Sequence, residues 1–262
     1  MNGLTTGFTV LSSQRYGAGD YEGLRKSVGN AFVLGLIVTV IMTIASLLGM
    51  DWLLRIMQTP EDIFDMSKEY IVIICVGIIF TTLYNLTASI LRAVGNSKVP
   101  LYFLILSALL NVVLDLFFIM VLSWGVAGAA IATVISQGVS GILCLVFLLT
   151  KVDILKLKKE HFKLDPIGAK IQLNIGIPMA LQFSITAIGT MILQAALNLL
   201  GSTVVASYTA ACKVEQLVTQ AFQAMGMTMA TYSAQNWGIH STKRIRKGQK
   251  LSLIHISEPT RP

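Results

Sequence analysis

Asn111 and Asp115 stand four residues apart, so a helix would carry a carboxamide and a carboxylate on one face, one turn apart. Asp115 is the only acid in an apolar run from Val99 to Leu122. At about 1.5 Å per helical residue that run crosses a hydrocarbon core of roughly 30 Å, which puts Asp115 near mid-membrane. A charge there costs at least about 2.5 kcal/mol, so the group should face the interior of a bundle and be neutralised by a proton, an ion or a partner. A third group joins the pair. In a hairpin centred on Trp124, Thr133 lies nine residues after the turn and Asp115 nine before it, so antiparallel helices would bring them to one depth. A carboxylate, a carboxamide oxygen and a hydroxyl could together hold a small hard cation such as Na⁺, or equally a protonated acid. A carboxylate tied up structurally is the third reading.

The elements that must hold these groups are spanning helices. The chain is 54% hydrophobic and only 13% charged, with a mean hydropathy of +0.72, far from the roughly one-quarter charged residues of a soluble domain. Apolar segments fall at 28–50, 70–91, 99–122, 126–149, 173–200 and 204–232, each long enough to span. This is the pattern of an all-α polytopic membrane protein whose first partner is the lipid bilayer. Residues 1–13 cover only about 20 Å as a helix, so the chain is expected to begin inside a span. The net charge of +7 does not point to nucleic acid, because the basic residues alternate by loop. Segments 14–27, 92–98, 151–170 and 239–250 hold sixteen of the twenty Lys and Arg residues, and the positive-inside rule assigns them to the cytoplasm. The intervening loop carries Arg55 beside the acids Asp51, Glu61, Asp62 and Asp65. Cys75, Cys144 and Cys212 sit inside apolar spans without metal or disulfide spacing and read as packing residues.

An internal repeat organises the spans. Gln14, Tyr16, Gly17 and Arg25-Lys26 match Gln235, Trp237, Gly238 and Arg246-Lys247 at one offset of 221 residues. So long an offset excludes a solenoid and implies two homologous bundles. Six spans separate the copies, so both end on the same side, related by an axis along the membrane normal, as in alternating-access transporters. The repeat predicts a first lobe at 1–150 lacking its first helix, a basic cytoplasmic linker at 151–172, and the start of a second lobe at 173–250. The counterpart of Pro178 would fall about 43 residues before Met1. Residues 251–262 resemble the translated read-through of a sequencing-library adapter and are expected to be non-native.

Two further stretches are candidates for a substrate cavity. Span 70–91 carries Thr81, Thr82, Tyr84, Asn85 and Thr87, more polarity than a lipid-facing helix tolerates, so one face should look inward. Span 204–232 carries Lys213 and Glu215, then Gln216, Gln220 and Gln223 on a stripe at helical spacing. For Lys213 and Glu215, snorkelling or an ion pair between lobes is the competing reading. Gly125, Gly128, Ala129 and Ala132 allow close helix contact in span 126–149, and the lysine-rich linker reads as solvated. A membrane-embedded enzyme would need a nucleophile-base or metal-ligand set within the spans. All three histidines lie in loops or the tail, so no enzyme is expected.

The pattern Leu91-Arg92-Ala-Val-Gly95-Asn96-Ser-Lys98, then Asn111-Val-Val-Leu-Asp115-Leu-Phe-Phe-Ile119, then Gly125-Val-Ala-Gly128-Ala-Ala-Ile-Ala-Thr133 resembles the multidrug and toxic compound extrusion (MATE) family. The doubled Gln-x-aromatic-Gly turns at Gln14 and Gln235 resemble it too, over residues 1 to about 250. The resemblance implies two six-helix lobes, of which this chain holds most of the first and the first two helices of the second. It implies a monomeric antiporter of the bacterial inner membrane, exporting organic cations, drugs or other xenobiotics in exchange for Na⁺ or H⁺, with no further cofactor. In one bacterial branch the coupling site falls on Asn111, Asp115 and Thr133, and Asn85 matches a further cavity position. That branch's first-span aspartate, a partner of this site, would fall in a segment before Met1, and a glutamate of another branch aligns with Thr186. Tyr84, Lys213, Glu215, Gln216 and Gln220 complete the expected cavity. A lipid-linked saccharide flippase of related fold, with a cationic cavity, is the alternative transporter, and a fragment inactive by itself is the other.

Overall fold

The computed structural model describes residues 2–56, 61–198 and 202–257. Among them the chain is helical and has no strand: α1 (Asn2–Gly17), α2 (Tyr21–Ile56), α3 (Glu61–Ala93), α4 (Lys98–Leu116), α5 (Gly125–Lys151), α6 (Pro166–Asn198), α7 (Ser202–Gly238) and α8 (Thr242–Ser257). Five described stretches are long and apolar enough to cross a membrane: Tyr21–Ile56, Phe64–Ala93, Lys98–Val121, Gly125–Lys151 and Pro166–Gln194. The protein is therefore an all-α, multi-pass membrane protein. The expected sixth span, 204–232, forms helix α7 but is not among these five. Lys213, Glu215 and the interspersed Gln and Thr residues dilute its apolar character.

Outward-facing side chains fit a hydrocarbon solvent. Leu109, Val112 and Val113 of α4 and Leu48 of α2 are exposed, as lipid contact requires. Inside, Leu24 and Val28 of α2, Ile90 and Leu91 of α3, and Cys144 and Leu148 of α5 share one core. Helices α3 and α5 approach closely because α5 places Gly141 there; a Cβ on it would sit 3.2 Å from both the Phe80 carbonyl oxygen and the Tyr84 nitrogen. Cys75 and Cys144 are buried free thiols, as packing residues should be.

The sequence repeat recurs as geometry. Gly19 (φ 73°) and His240 (φ 53°) occupy matched positions in the left-handed region. The Asp20 N–H donates to the Arg15 carbonyl at 3.0 Å, and the Ser241 N–H donates to the Asn236 carbonyl at 3.0 Å. Helices α1 and α7 then meet at their matched glycines. A Cβ on Gly17 would collide with the Gln235 carbonyl oxygen, and one on Gly238 with the Gln14 carbonyl oxygen. Such a reciprocal contact, residue for residue, places a pseudo-two-fold axis at this crossing. Both helices end on the basic face, so the axis runs along the membrane normal.

The linker differs from its expected solvated form. Helix α6 begins at Pro166, and the preceding segment folds into two 3₁₀ turns, Asp153–Leu155 and Lys159–Phe162, that pack on α2. Leu155 is fully buried and His161 only 2% exposed. The Lys158 N–H donates to His161 Nδ1 at 2.9 Å, which leaves the ring proton on Nε2, 3.3 Å from Glu22 Oε1. Arg25 Nε donates to the Ile154 carbonyl at 3.0 Å. Asn30 bonds both ends of Asp165: its Nδ2 donates to the carbonyl at 3.3 Å and its Oδ1 accepts from the N–H at 3.1 Å. Gln172, with no exposure, donates from Nε2 to the Phe8 carbonyl at 3.0 Å and to the Ser27 carbonyl at 2.8 Å, while its Oε1 accepts from Asn30 at 3.1 Å. Lysine count hid this docking, because Leu155 and the ring of His161 supply the buried surface.

Two consequences are measurable. Gly17→Leu or Gly238→Leu should overpack the α1–α7 crossing and cost about 1–3 kcal/mol, read as a lowered thermal midpoint in detergent; an unchanged midpoint would contradict the crossing. Asp20 caps α2 by accepting the Gly23 N–H at 2.9 Å, and that bond, with Arg15 beside it, holds the Asp20 carboxyl below the usual carboxylate range. The cap therefore stabilises fully above the ordinary carboxylate pKa and fades as pH falls through the lower folded value. Asp20→Ala should cost up to about 1 kcal/mol at pH 7, and the difference from wild type should shrink at pH 3.

Candidate functional site

Helix α4 does not run uniformly into the hairpin. After Leu116 it widens into a π-helical turn, Phe117–Val121, in which the Leu122 N–H reaches back to the Phe117 carbonyl at 3.1 Å. The Phe118 ring stacks on Trp124 at 5.2 Å between centroids, and Gly128 leaves room beside Phe118. A wide turn takes up more residues per turn than an α-helix, so nine residues before Trp124 reach less far than nine after it. The expected register is shifted as a result. Thr133 lies opposite Asn111, not Asp115: Asn111 Nδ2 reaches Thr133 Oγ1 at 3.5 Å, and one turn further along Ser107 Oγ donates to the Ser136 carbonyl at 2.9 Å. Asp115 is therefore one turn beyond the Asn111–Thr133 contact.

Its depth also differs from the expected midpoint. Asp115 is seventeen residues from Lys98 and six from Val121, or roughly 26 and 9 Å along the helix, so it lies nearer the membrane face opposite the basic one. Its surroundings leave it unsatisfied. Oδ1 of Asp115 is buried and has no hydrogen-bond partner, the only such side-chain oxygen or nitrogen among the described residues. Thr133 Oγ1 donates to the Ala129 carbonyl at 3.0 Å and accepts from Asn111 Nδ2, so its second lone pair and Asn111 Oδ1 are the neutral oxygens a cation could use. No group of three His, Cys, Asp or Glu residues that could hold a metal ion occurs among the described residues. One carboxylate among neutral oxygens suits a proton or a monovalent hard cation better than a divalent one.

The expected cavity residues are scattered. Tyr84 is buried, donates its hydroxyl to the Pro100 carbonyl at 3.2 Å, and lines a cavity of about 540 Å³ between α3, the start of α4 and α7. Asn85 is half-buried on α3 and is not in that lining. Lys213, Glu215, Gln216 and Gln220 stand exposed on α7. The α7 residues that face the first lobe come later: Thr228, Thr231 and Tyr232 line the cavity, and Gln235 donates to the Ala93 carbonyl at 2.8 Å. Thr231 and Gln235 are four residues apart, a signal that the more conspicuous glutamine stripe masked. Arg92, which belongs to the basic segment 92–98, also lines the cavity. Thr186 is exposed and bonds its own helix, to the Gln182 carbonyl at 3.0 Å.

The family model MatE matches residues 1–117. "Probable multidrug resistance protein YpnP" of Bacillus subtilis is 32% identical over 248 residues, covering 93% of this chain and 54% of that protein. A solved "outward-facing conformation of a multidrug resistance MATE family transporter" superposes with a TM-score of 0.88 at 27% identity, covering 98% of this chain and 57% of that one. This chain belongs to the MATE family. "Probable multidrug resistance protein NorM" of Thermotoga maritima is a further relative, 26% identical over 95% of this chain and 55% of its own length. This MATE chain thus spans about half the length of the curated relatives it matches.

The orphaned oxygen generates a prediction that needs no transport assay. A buried acceptor without a partner costs about 1–3 kcal/mol, more if charged. Asp115→Asn should therefore raise the thermal midpoint of this MATE chain in Na⁺-free buffer at pH 8. It should also abolish any rise that Na⁺ produces in the wild type. A variant that keeps the full wild-type response would place the responding group elsewhere.

Proposed function

We propose that this chain serves the export of organic cations, drugs or other xenobiotics across the bacterial inner membrane, driven by exchange for Na⁺ or H⁺. The observation that carries the reading is the buried, unpartnered Oδ1 of Asp115, beside the Asn111–Thr133 contact. A deprotonated, ion-free Asp115 permits substrate in the cavity; a cation or proton held by Asp115 with Asn111 and Thr133 favours release. For exchange to occur each ligand must prefer a different conformer. The relatives named as multidrug resistance proteins support the substrate class.

The contacts between lobes support alternation. Helix α1 meets α6 at Gly3, Gly7 and Phe8, and meets α7 at Gln14 and Gly17, so the first lobe and the start of the second touch mainly through one helix toward the basic side. In the proposed cycle this contact closes the basic side, and substrate enters once the lobes rock apart there. In this reading the protein acts as a monomer in the bilayer, catalyses no covalent step, and binds no nucleic acid.

A chimera tests the function independently of chain length: residues 1–250 of this chain replace the matching part of YpnP in proteoliposomes. Ethidium efflux should follow an imposed Na⁺ gradient or an imposed pH gradient, and Asp115→Asn should reduce the coupled rate at least roughly tenfold. Undiminished efflux in that variant would end the proposed role of Asp115. Efflux driven by neither gradient would end the antiporter reading.

A further inference from the structure

Between α2 and α3 runs a groove of about 320 Å³ that no step of the proposed transport uses. It is bounded by Phe32, Gly35 and Thr39 of α2, Thr82 and Leu86 of α3, and Phe162 of the linker. Both hydroxyls are already spent: Thr39 Oγ1 donates to the Gly35 carbonyl at 2.7 Å and Thr82 Oγ1 to the Ile78 carbonyl at 2.9 Å. The walls therefore offer methyl groups, methylenes and rings. Phe32 to Thr39 lie four to eleven residues inside the apolar segment that starts at Val28, or roughly 6–17 Å deep, which is the depth of one leaflet's acyl chains.

The mouth of the groove has the opposite character. The linker closes it with Phe162, whose ring lies 6.3 Å from that of Phe32. Along the same segment Phe162, Leu164 and Ile167 expose apolar side chains, 42%, 47% and 75% exposed, between Lys159, Lys163 and Lys170. Apolar groups interleaved with lysines at the end of a spanning helix are what a headgroup interface accommodates. Lys156 and Lys158 pair with Asp153 and Glu160, but Lys159 and Lys163 have no carboxylate within ion-pair distance among the described residues. The docking of the linker through Arg25, Asn30 and His161 fixes the segment that carries these lysines, and with it Phe162 at the edge of the groove.

We infer that the α2–α3 groove binds one anionic phospholipid of the cytoplasmic leaflet, an acyl chain lying along Gly35 and Thr39 and the headgroup phosphate held by Lys159 and Lys163. The apolar walls select a chain and the unpaired lysines select the negative headgroup, so the site requires both parts of one molecule. The inference rests on the membrane topology and on the docked linker, and not on ion coupling at Asp115.

Native mass spectrometry of the whole chain, released from nanodiscs of equimolar phosphatidylglycerol and phosphatidylcholine, tests it. The wild type should retain phosphatidylglycerol in preference. Lys159→Gln with Lys163→Gln, two exposed positions, should weaken that preference roughly fivefold for each lysine while leaving lipid retention itself intact. Leu36→Trp, which fills the groove from its lipid-exposed rim, should reduce retention of both lipids, with unchanged helicity by circular dichroism confirming the fold. An undiminished preference in the lysine variant, or undiminished retention in Leu36→Trp, would overturn the site. So would displacement of the lipid by glycerol 3-phosphate at constant ionic strength, since that ligand has no acyl chain.

Discussion

Hydrocarbon cannot hydrogen-bond, so a polar group in a spanning helix must find its partner within the protein or remain at a cost. That constraint sorts the polar residues of this chain into three kinds. The threonines and serines of the spans mostly turn back on the carbonyl one turn earlier, as Thr39, Thr82 and Thr87 do, and so become apolar on their outer face. Asn30 and Gln172 satisfy each other and the backbone of α1, α2 and the linker, and thereby tie four elements together. Asp115 does neither with its buried oxygen. The first kind makes the helices compatible with lipid and the second holds them to one another, which leaves the third as the place where an external ion has something to complete.

The same solvent explains the glycines at the helix crossings. Lipid tails are as apolar as leucine, so helices associate by close packing rather than by escape from water, and small residues let backbones approach. Gly7 against Gly176, Gly17 against Gln235 and Gly238 against Gln14 all lie on the contact of α1 with the second lobe. Matched glycines on the two copies of the repeat meet across the pseudo-two-fold axis, so one local feature, duplicated, builds the crossing from both sides.

Much of this was legible in the sequence, for identifiable reasons. Five of the expected spans exceed the length and hydropathy of a crossing helix, and the repeat was visible because the α1–α7 crossing leaves no room for a Cβ at Gly17 or Gly238. Asp115 could be singled out because a lone acid in an apolar run has few uses. What was hidden depended on geometry that composition does not encode. The π-helical turn at Phe117–Val121 shifted Thr133 from Asp115 to Asn111, because counting residues through a hairpin assumes a constant rise. The linker looked solvated because its lysines are numerous, yet His161 and Leu155 are buried and its backbone is bonded to Arg25 and Asn30. In α7 the charged and glutamine residues drew the functional reading, while the contact with the first lobe is made by Thr228, Thr231 and Gln235.

The satisfied and unsatisfied sites set opposite demands on a transporter that alternates. Separating the lobes on the basic side would break the bonds Gln172 makes to Phe8 and Ser27, each worth about 0.5–1.5 kcal/mol net once water replaces it. That lock, together with the glycine crossings, favours the closed arrangement. Reversing a two-state population from 1:99 to 99:1 takes about 5.5 kcal/mol of differential binding, so a ligand that drives the opening must be bound much more weakly by one conformer than by the other. A fully satisfied site would respond little to an arriving ion. In the proposed mechanism the unpaired oxygen of Asp115 is the one that responds, because an arriving ion would complete an oxygen that the protein's own groups leave without a partner. In the proposed mechanism the incomplete site is therefore needed: a carboxylate already paired within the helix bundle would have no free energy left to exchange for movement of the lobes.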